Sequence, residues 1–439
     1  MLTRICLSLA MLVAVPVWSQ VEPAATGSPP EAENVMQTPP PVNGEAYPTI
    51  TGAEMRSNEL NAGLNFQTGY SDNVFGSGST TPVADIFYSI GASIALDQMT
   101  PRLHQTYTYN SGFTLYQSTS ARNESDQNAL ASFQYRLSPH ISVRLADSFD
   151  KSTNIFNQPY GGVSGSLQSP TASVQAPFAD QISNSASGEL SYQFSSNGMV
   201  GGSGTSTLLN YLNPAQASGL SNSESIGGSA FYNLRLSSTQ YIGMTYQYSN
   251  MTASSISDES VTRTHTVFFF YSVYLSHTLT LSASGGSQHF NLDESPLPAF
   301  ASWTPEVTAS IGWQRSHTNL AASYSRTIIG AGGLLGAFES NSANASVRWQ
   351  LAREWTVGST GTYAIQKNVL PTSISSSPGG HTVSGSVSIQ HPMGERFAAA
   401  LGYTRLHQSY ADIPVISASP DSDREYISIS YQLTRPLGR

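Results

Sequence analysis

Four arginines, Arg136, Arg144, Arg235 and Arg348, stand on the polar phase of stretches in which every second residue is apolar, each within a few residues of a tight-turn signal. Guanidinium groups brought to one wall at one height hold anions, and a ring of them gives an aqueous passage a preference for anionic solutes. Glu189 shares the polar phase and is placed to pair with them. The competing reading is that these charges simply keep to the wet face and neutralise one another.

Other chemistry is harder to assemble. His140, His277, His317 and His391 fall beside tight turns, and His265, His289, His381 and His407 toward the opposite strand ends. No His-x-x-x-His spacing occurs, so a metal centre is not expected. Asp147, Asp150 and His289 are the residues a rim-sited hydrolase would draw on, but nothing in the sequence brings them together. The run Gly330-Ala331-Gly332-Gly333 leads into an alternating stretch rather than a helix, so it does not read as a phosphate loop. The expectation is a protein that is not an enzyme and has no cofactor.

The elements that must position these residues are strands. In Leu60-Asn61-Ala62-Gly63-Leu64-Asn65-Phe66-Gln67 every second residue is apolar, and the pattern returns at Ile86 to Leu96 and at Ala343 to Leu351. Period two places one set on each face of a strand. Strand starts are expected near positions 59, 84, 103, 127, 141, 183, 199, 224, 239, 261, 278, 304, 318, 341, 355, 381, 396 and 424. Tight turns are expected near Met99-Thr100-Pro101, Ser138-Pro139, Ser196-Asn197-Gly198, Ser237-Ser238, Ser276-His277, Ser316-His317, Arg353-Glu354 and Pro392-Met393-Gly394. Between them lie loops of roughly 10 to 30 residues, the alternation of turn lengths that outer-membrane barrels use.

Composition agrees. Only 11% of residues are Asp, Glu, Lys or Arg, against about 25% in ordinary soluble domains. The polar face is therefore Ser, Thr, Asn, Gln and Gly, as suits a wet lumen, where a soluble sandwich would carry charge. A net charge of −9 without a basic cluster argues against nucleic acid as a partner. The expected fold is all-β, a transmembrane antiparallel up-and-down barrel of about 18 strands, with 16 as the alternative even number.

Residues 1–19 read as a signal peptide: Arg4, an apolar run from Ile5 to Val17, then a cleavage site at Val17-Trp18-Ser19. The sole cysteine, Cys6, lies within it. Residues 20–55 read as a Pro-rich disordered periplasmic arm, and 56–439 as the barrel. Both barrel ends fall on the short-turn side, so the arm and the C-terminus are expected in the periplasm of a bacterial outer-membrane protein. Tyr70, Tyr107, Tyr109, Tyr135, Tyr246, Tyr248, Trp303, Trp349, Trp355 and Tyr403 are expected to form interfacial girdles. Residues 151–181 form the longest loop, and its Ile155, Phe156, Tyr160 and Phe178 are apolar enough to fold inward and constrict a pore. An alternating last strand at Tyr426–Leu433 is followed by Pro436, before which the strand is expected to stop.

Tyr70-Ser71-Asp72-Asn73-Val74-Phe75, directly after the first strand, resembles the Tyr-x-Asp-Asn-Val/Ile signature of outer-membrane β-barrel porins associated with exopolysaccharide systems. That resemblance implies an outer-membrane pore, a secreted polysaccharide as cargo, and Tyr70, Asp72 and Asn73 as motif residues. Asp72-Asn73 is also simply a good turn opener. The implied partners are outer-membrane lipid, the barrel-insertion machinery and polysaccharide or periplasmic export components. The alternative function is a structural or binding barrel acting through its long external loops.

Overall fold

The computed structural model describes residues 58–74, 82–152, 180–213, 219–255, 258–295, 297–330, 334–352, 354–370, 379–410 and 421–437. The first strands are β1 (Glu59–Ser71), β2 (Asp85–Met99), β3 (Leu103–Tyr116), β4 (Glu124–Arg136), β5 (Ile141–Ser152) and β6 (Gln181–Gln193). Next come β7 (Gly198–Tyr211), β8 (Asn222–Ser237), β9 (Gln240–Ser254), β10 (Glu259–Ser276), β11 (Leu279–Glu294) and β12 (Phe300–Arg315). The last six are β13 (Thr318–Gly330), β14 (Ala337–Gln350), β15 (Thr356–Asn368), β16 (Gly380–Pro392), β17 (Phe397–Tyr410) and β18 (Asp421–Pro436).

Each strand pairs antiparallel with its sequence neighbours, and β1 pairs with β18, closing an 18-stranded ring. Closure removes the unpaired edges that an open sheet would expose. Every short connection falls where the turn residues placed it, and each expected strand start lies within a few residues of the observed one. Two long-side connections are much shorter than expected. The β9–β10 link is only Ser255–Asp258, closed by Ser255 N donating to Asp258 O (2.8 Å), because β10 extends to 18 residues. The β11–β12 link is likewise brief, since β12 begins at Phe300. The last strand also runs further than expected. It continues through Thr434 and Arg435 to Pro436, opposite Glu59, because β1 supplies partners to that point.

The two faces sort as the alternation requires. Leu64, Phe66, Ile90, Ile94, Phe269, Leu401 and Ile427 are all exposed, on the outside of the ring. All ten girdle aromatics are likewise off the inward phase or, for Trp355, in a short turn. Inside, hydroxyls meet across neighbouring strands: Ser142 with Ser191 (2.6 Å), Ser203 with Ser229 (2.8 Å), Ser272 with Ser282 (2.9 Å) and Thr360 with Ser386 (2.7 Å). Inward aromatics lie flat over glycines of the adjacent strand. A Cβ on Gly69 would collide with Phe87, and on Gly402 with Tyr426. Glycine at these positions keeps the rings against the wall rather than across the lumen.

On the outer face, polar and charged side chains gather toward the long-loop ends. Arg263 meets Asp293 (3.3 Å), Arg326 meets Glu339 (2.7 Å), and His407 meets both His381 (3.2 Å) and Asp421 (2.7 Å). Below them the exterior is mainly apolar, interrupted by Asp147 and Asn184 on β5 and β6, as a membrane-spanning wall requires.

Candidate functional site

The site is the lumen and its long-loop mouth. At the short-turn end all four arginines face inward. Arg136 lies opposite Ser142, Arg144 opposite Glu189, Arg235 opposite Tyr241, and Arg348 between Asn319 and Gly358. The five charged residues singled out from sequence therefore share the lumenal face, with Glu189 directly across from Arg144. Arg235 Nε also donates to Ser237 O (3.1 Å), which holds that side chain at the turn. Sequence reasoning passed over Asp97 and His104, which meet inside the same end at 3.3 Å.

Toward the long-loop end the interior charge changes sign. Glu124, Asp126, Asp150 and Glu306 point inward there, with Arg424 among them. Arg424 Nη2 donates to Tyr116 Oη (2.8 Å), Tyr116 Oη donates to Glu124 (3.3 Å), and the guanidinium lies 5.2 Å from the Phe87 ring centre.

The mouth is crossed by side chains from distant strands. Tyr211 at the end of β7, Leu220 in the loop after it, Leu334 and Phe338 of the β13–β14 hairpin, and Tyr410 at the end of β17 form one buried cluster. β7 and β14 stand nearly opposite in the ring, so this contact spans the lumen. Leu334 and Phe338 retain only 2% and 1% of their exposure. A second cluster, Phe290, Leu292, Ile328, Ala337 and Leu370, packs the other side of the same hairpin against the inner wall of β11.

The hairpin reaches this position because the wall splits. β12 continues up to Phe300 and β13 to Gly330, yet their pairing ends at Val307 opposite Arg326. Above that rung β13 leaves β12, and the Ile328 amide donates to the Gln288 side chain of β11 (2.8 Å). Ile155, Phe156, Tyr160 and Phe178, expected from sequence to constrict a pore, lie outside the described residues.

The motif residues Tyr70, Asp72 and Asn73 sit at the ring's closing seam. Asp423 N donates to Asp72 Oδ1 (2.7 Å), Asp72 N to Asp423 O (3.2 Å), and Asn73 Nδ2 to Asp421 O (2.9 Å). Tyr70 faces outward opposite Glu425, and Val74 is buried with Phe87, Tyr116 and Tyr426. In this structure the motif clasps the first strand to the last.

The three hydrolase candidates do not meet. Asp150 points into the lumen, while Asp147, on the same strand, points out. His289 lies on the outer face against Trp303, ring centres 4.8 Å apart. Among the described residues no group of three or more His, Cys, Asp or Glu is placed to hold a metal ion. Asp147 sits midway up β5 between Ala131 and Ala186, with the Asn184 amide donating to it (2.9 Å). A lipid-facing carboxylate at that depth costs stability, so Asp147→Leu should stabilise the barrel by on the order of 1 kcal/mol in urea unfolding from lipid vesicles. A clear loss instead would mean that lipid does not cover this face.

No protein-family model matches the chain, and no curated protein matches it. Solved barrels do align with it. Acinetobacter baumannii OccAB4 is 9% identical over 87% of this chain and 99% of its own, with a TM-score of 0.42. Pseudomonas aeruginosa OccK2 (OpdF), solved in complex with glucuronate, is 10% identical over 86% of this chain and 98% of its own, with a TM-score of 0.43. The ferric citrate transporter FecA in its unliganded form is 10% identical over 82% of this chain but only 60% of its own length, at 0.41. At this level the likeness is one of architecture only.

Proposed function

We propose that this chain is an outer-membrane channel for polar solutes, narrowed at its long-loop mouth by the β13–β14 hairpin. One observation carries the reading: a closed 18-stranded ring that is apolar outside and hydroxyl-rich inside. Rings of this size are too wide for side chains to fill, so the interior holds water. With the apolar band in lipid, the short turns and both chain ends lie on the periplasmic side and the hairpin faces outward. Hydroxyl and amide side chains along the wall offer replaceable hydrogen bonds to a hydroxylated solute.

A secreted polysaccharide is the more specific cargo, supported by the likeness of the Tyr70–Phe75 segment to porins of exopolysaccharide systems. The inward arginines would favour anionic solutes at the periplasmic end. Replacing Arg136, Arg144, Arg235 and Arg348 together with Gln should move the zero-current potential in a KCl gradient toward cation preference. An unmoved potential would show that Glu189, Asp97 and their neighbours already cancel those charges. A barrel that never conducts would leave the structural or ligand-binding reading of the external loops.

A further inference from the structure

The split between β12 and β13 is written into the sequence at the seam itself. Gln314 N donates to Thr278 O (2.8 Å), so even-numbered residues of β12 direct their backbone groups toward β11 and odd-numbered ones toward β13. Gln350 N donates to His317 O (2.8 Å), so on β13 the even-numbered residues direct theirs toward β12. Val307 and Arg326 are therefore a hydrogen-bonded rung, and the next one above would join Pro305 to Ile328. Proline has no N–H, so that rung could form only one of its two bonds. Its remaining donor, the Ile328 amide, is the group now held by Gln288.

We propose that the upper β13–β14 hairpin is a gate with two seats. In the seat observed, β13 above Arg326 has left β12 and turned inward, while β14 keeps its place beside β15, with Phe338 opposite Asn368 and Ala337 O accepting from Val369 N (3.2 Å). Ile328 N–H is bound by Gln288, and Leu334 and Phe338 are packed against Tyr211 and Tyr410. In the other seat upper β13 swings back into the wall and extends the existing register, with Thr327 opposite Glu306 and Ile329 opposite Thr304. The mouth is then open. The vacated edge of β12 above Val307 is the second seat, and Pro305 weakens it enough for the two to compete. This mechanism rests on the channel reading above and names its regulation.

Paired cysteines test it in the full-length protein in lipid. Gln288→Cys with Ile328→Cys reports the inner seat, and Thr304→Cys with Ile329→Cys the outer one. Under mild oxidation both pairs should cross-link. The first should lower single-channel conductance and the second raise it several-fold, each reversed by reductant. If the 304–329 pair stays reduced while the 288–328 pair cross-links, the hairpin is fixed and the gate is wrong. If both cross-link but no variant conducts, the movement stands and the channel reading fails. Pro305→Thr restores the missing donor without relying on a new cysteine. It should raise the conducting fraction, and an unchanged fraction would count against the gate.

Discussion

Truncating both Leu334 and Phe338 to alanine is expected to raise the conductance of the barrel at least tenfold without unfolding it. Together these two side chains are almost wholly buried, and they join the hairpin to Tyr211 and Tyr410 across the lumen. Removing one buried Leu or Phe typically costs about 2–5 kcal/mol. Here the loss falls on a contact that holds the hairpin inward, beside the Gln288 bond and the cluster against β11, and not on the wall below Val307, which is paired independently of it. About 1.4 kcal/mol shifts a two-state balance tenfold, so even the lower figure empties the observed seat. Bilayer recordings read the effect directly, and the heat-modified gel mobility of folded barrels checks that the wall survives. Unchanged conductance with intact folding would mean that the apolar bridge does not control passage.

The second large effect concerns ring closure. Asp72→Ala combined with Asn73→Ala should lower barrel stability by about 2–4 kcal/mol. A hydrogen bond to a charged group contributes about 1.5–3 kcal/mol and a neutral one about 1. Asp72 accepts from the Asp423 amide and Asn73 donates to the Asp421 carbonyl, so both bonds bridge β1 and β18. The cost should appear as earlier unfolding in urea and as poorer insertion, with pore selectivity unaltered in the fraction that folds. A change in solute preference without a loss of stability would return the motif to a binding role.

Much of this architecture was legible because a barrel wall is built from local rules. Alternation in Leu60–Gln67 and its repeats fixes which face each strand shows to lipid, and pairs such as Ser237-Ser238 and Ser276-His277 fix where it turns. The inward set of Arg136, Arg144, Glu189, Arg235 and Arg348 follows from the same parity. The inward departure of upper β13 was not legible by that rule, because it breaks it. Ile328-Ile329 and Leu334-Leu335 are apolar on both phases, which a wall strand with one wet face cannot use. Apolar content on both phases at a strand top was a usable signal. Pro305 within β12 was a second signal, since proline in a strand marks an unpaired edge. The clasp formed by Asp72 and Asn73 depends on residues some 350 positions away and has no local signature beyond turn propensity.

On this reading the ring encloses a water-filled path obstructed at one end by its own hairpin. Planar-bilayer recording of the purified protein beside the Leu334→Ala, Phe338→Ala variant tests it most directly. Small or brief conductance steps in the parent and large, long-lived steps in the variant are the predicted result. Absence of steps in both, from protein shown to be folded, would contradict it.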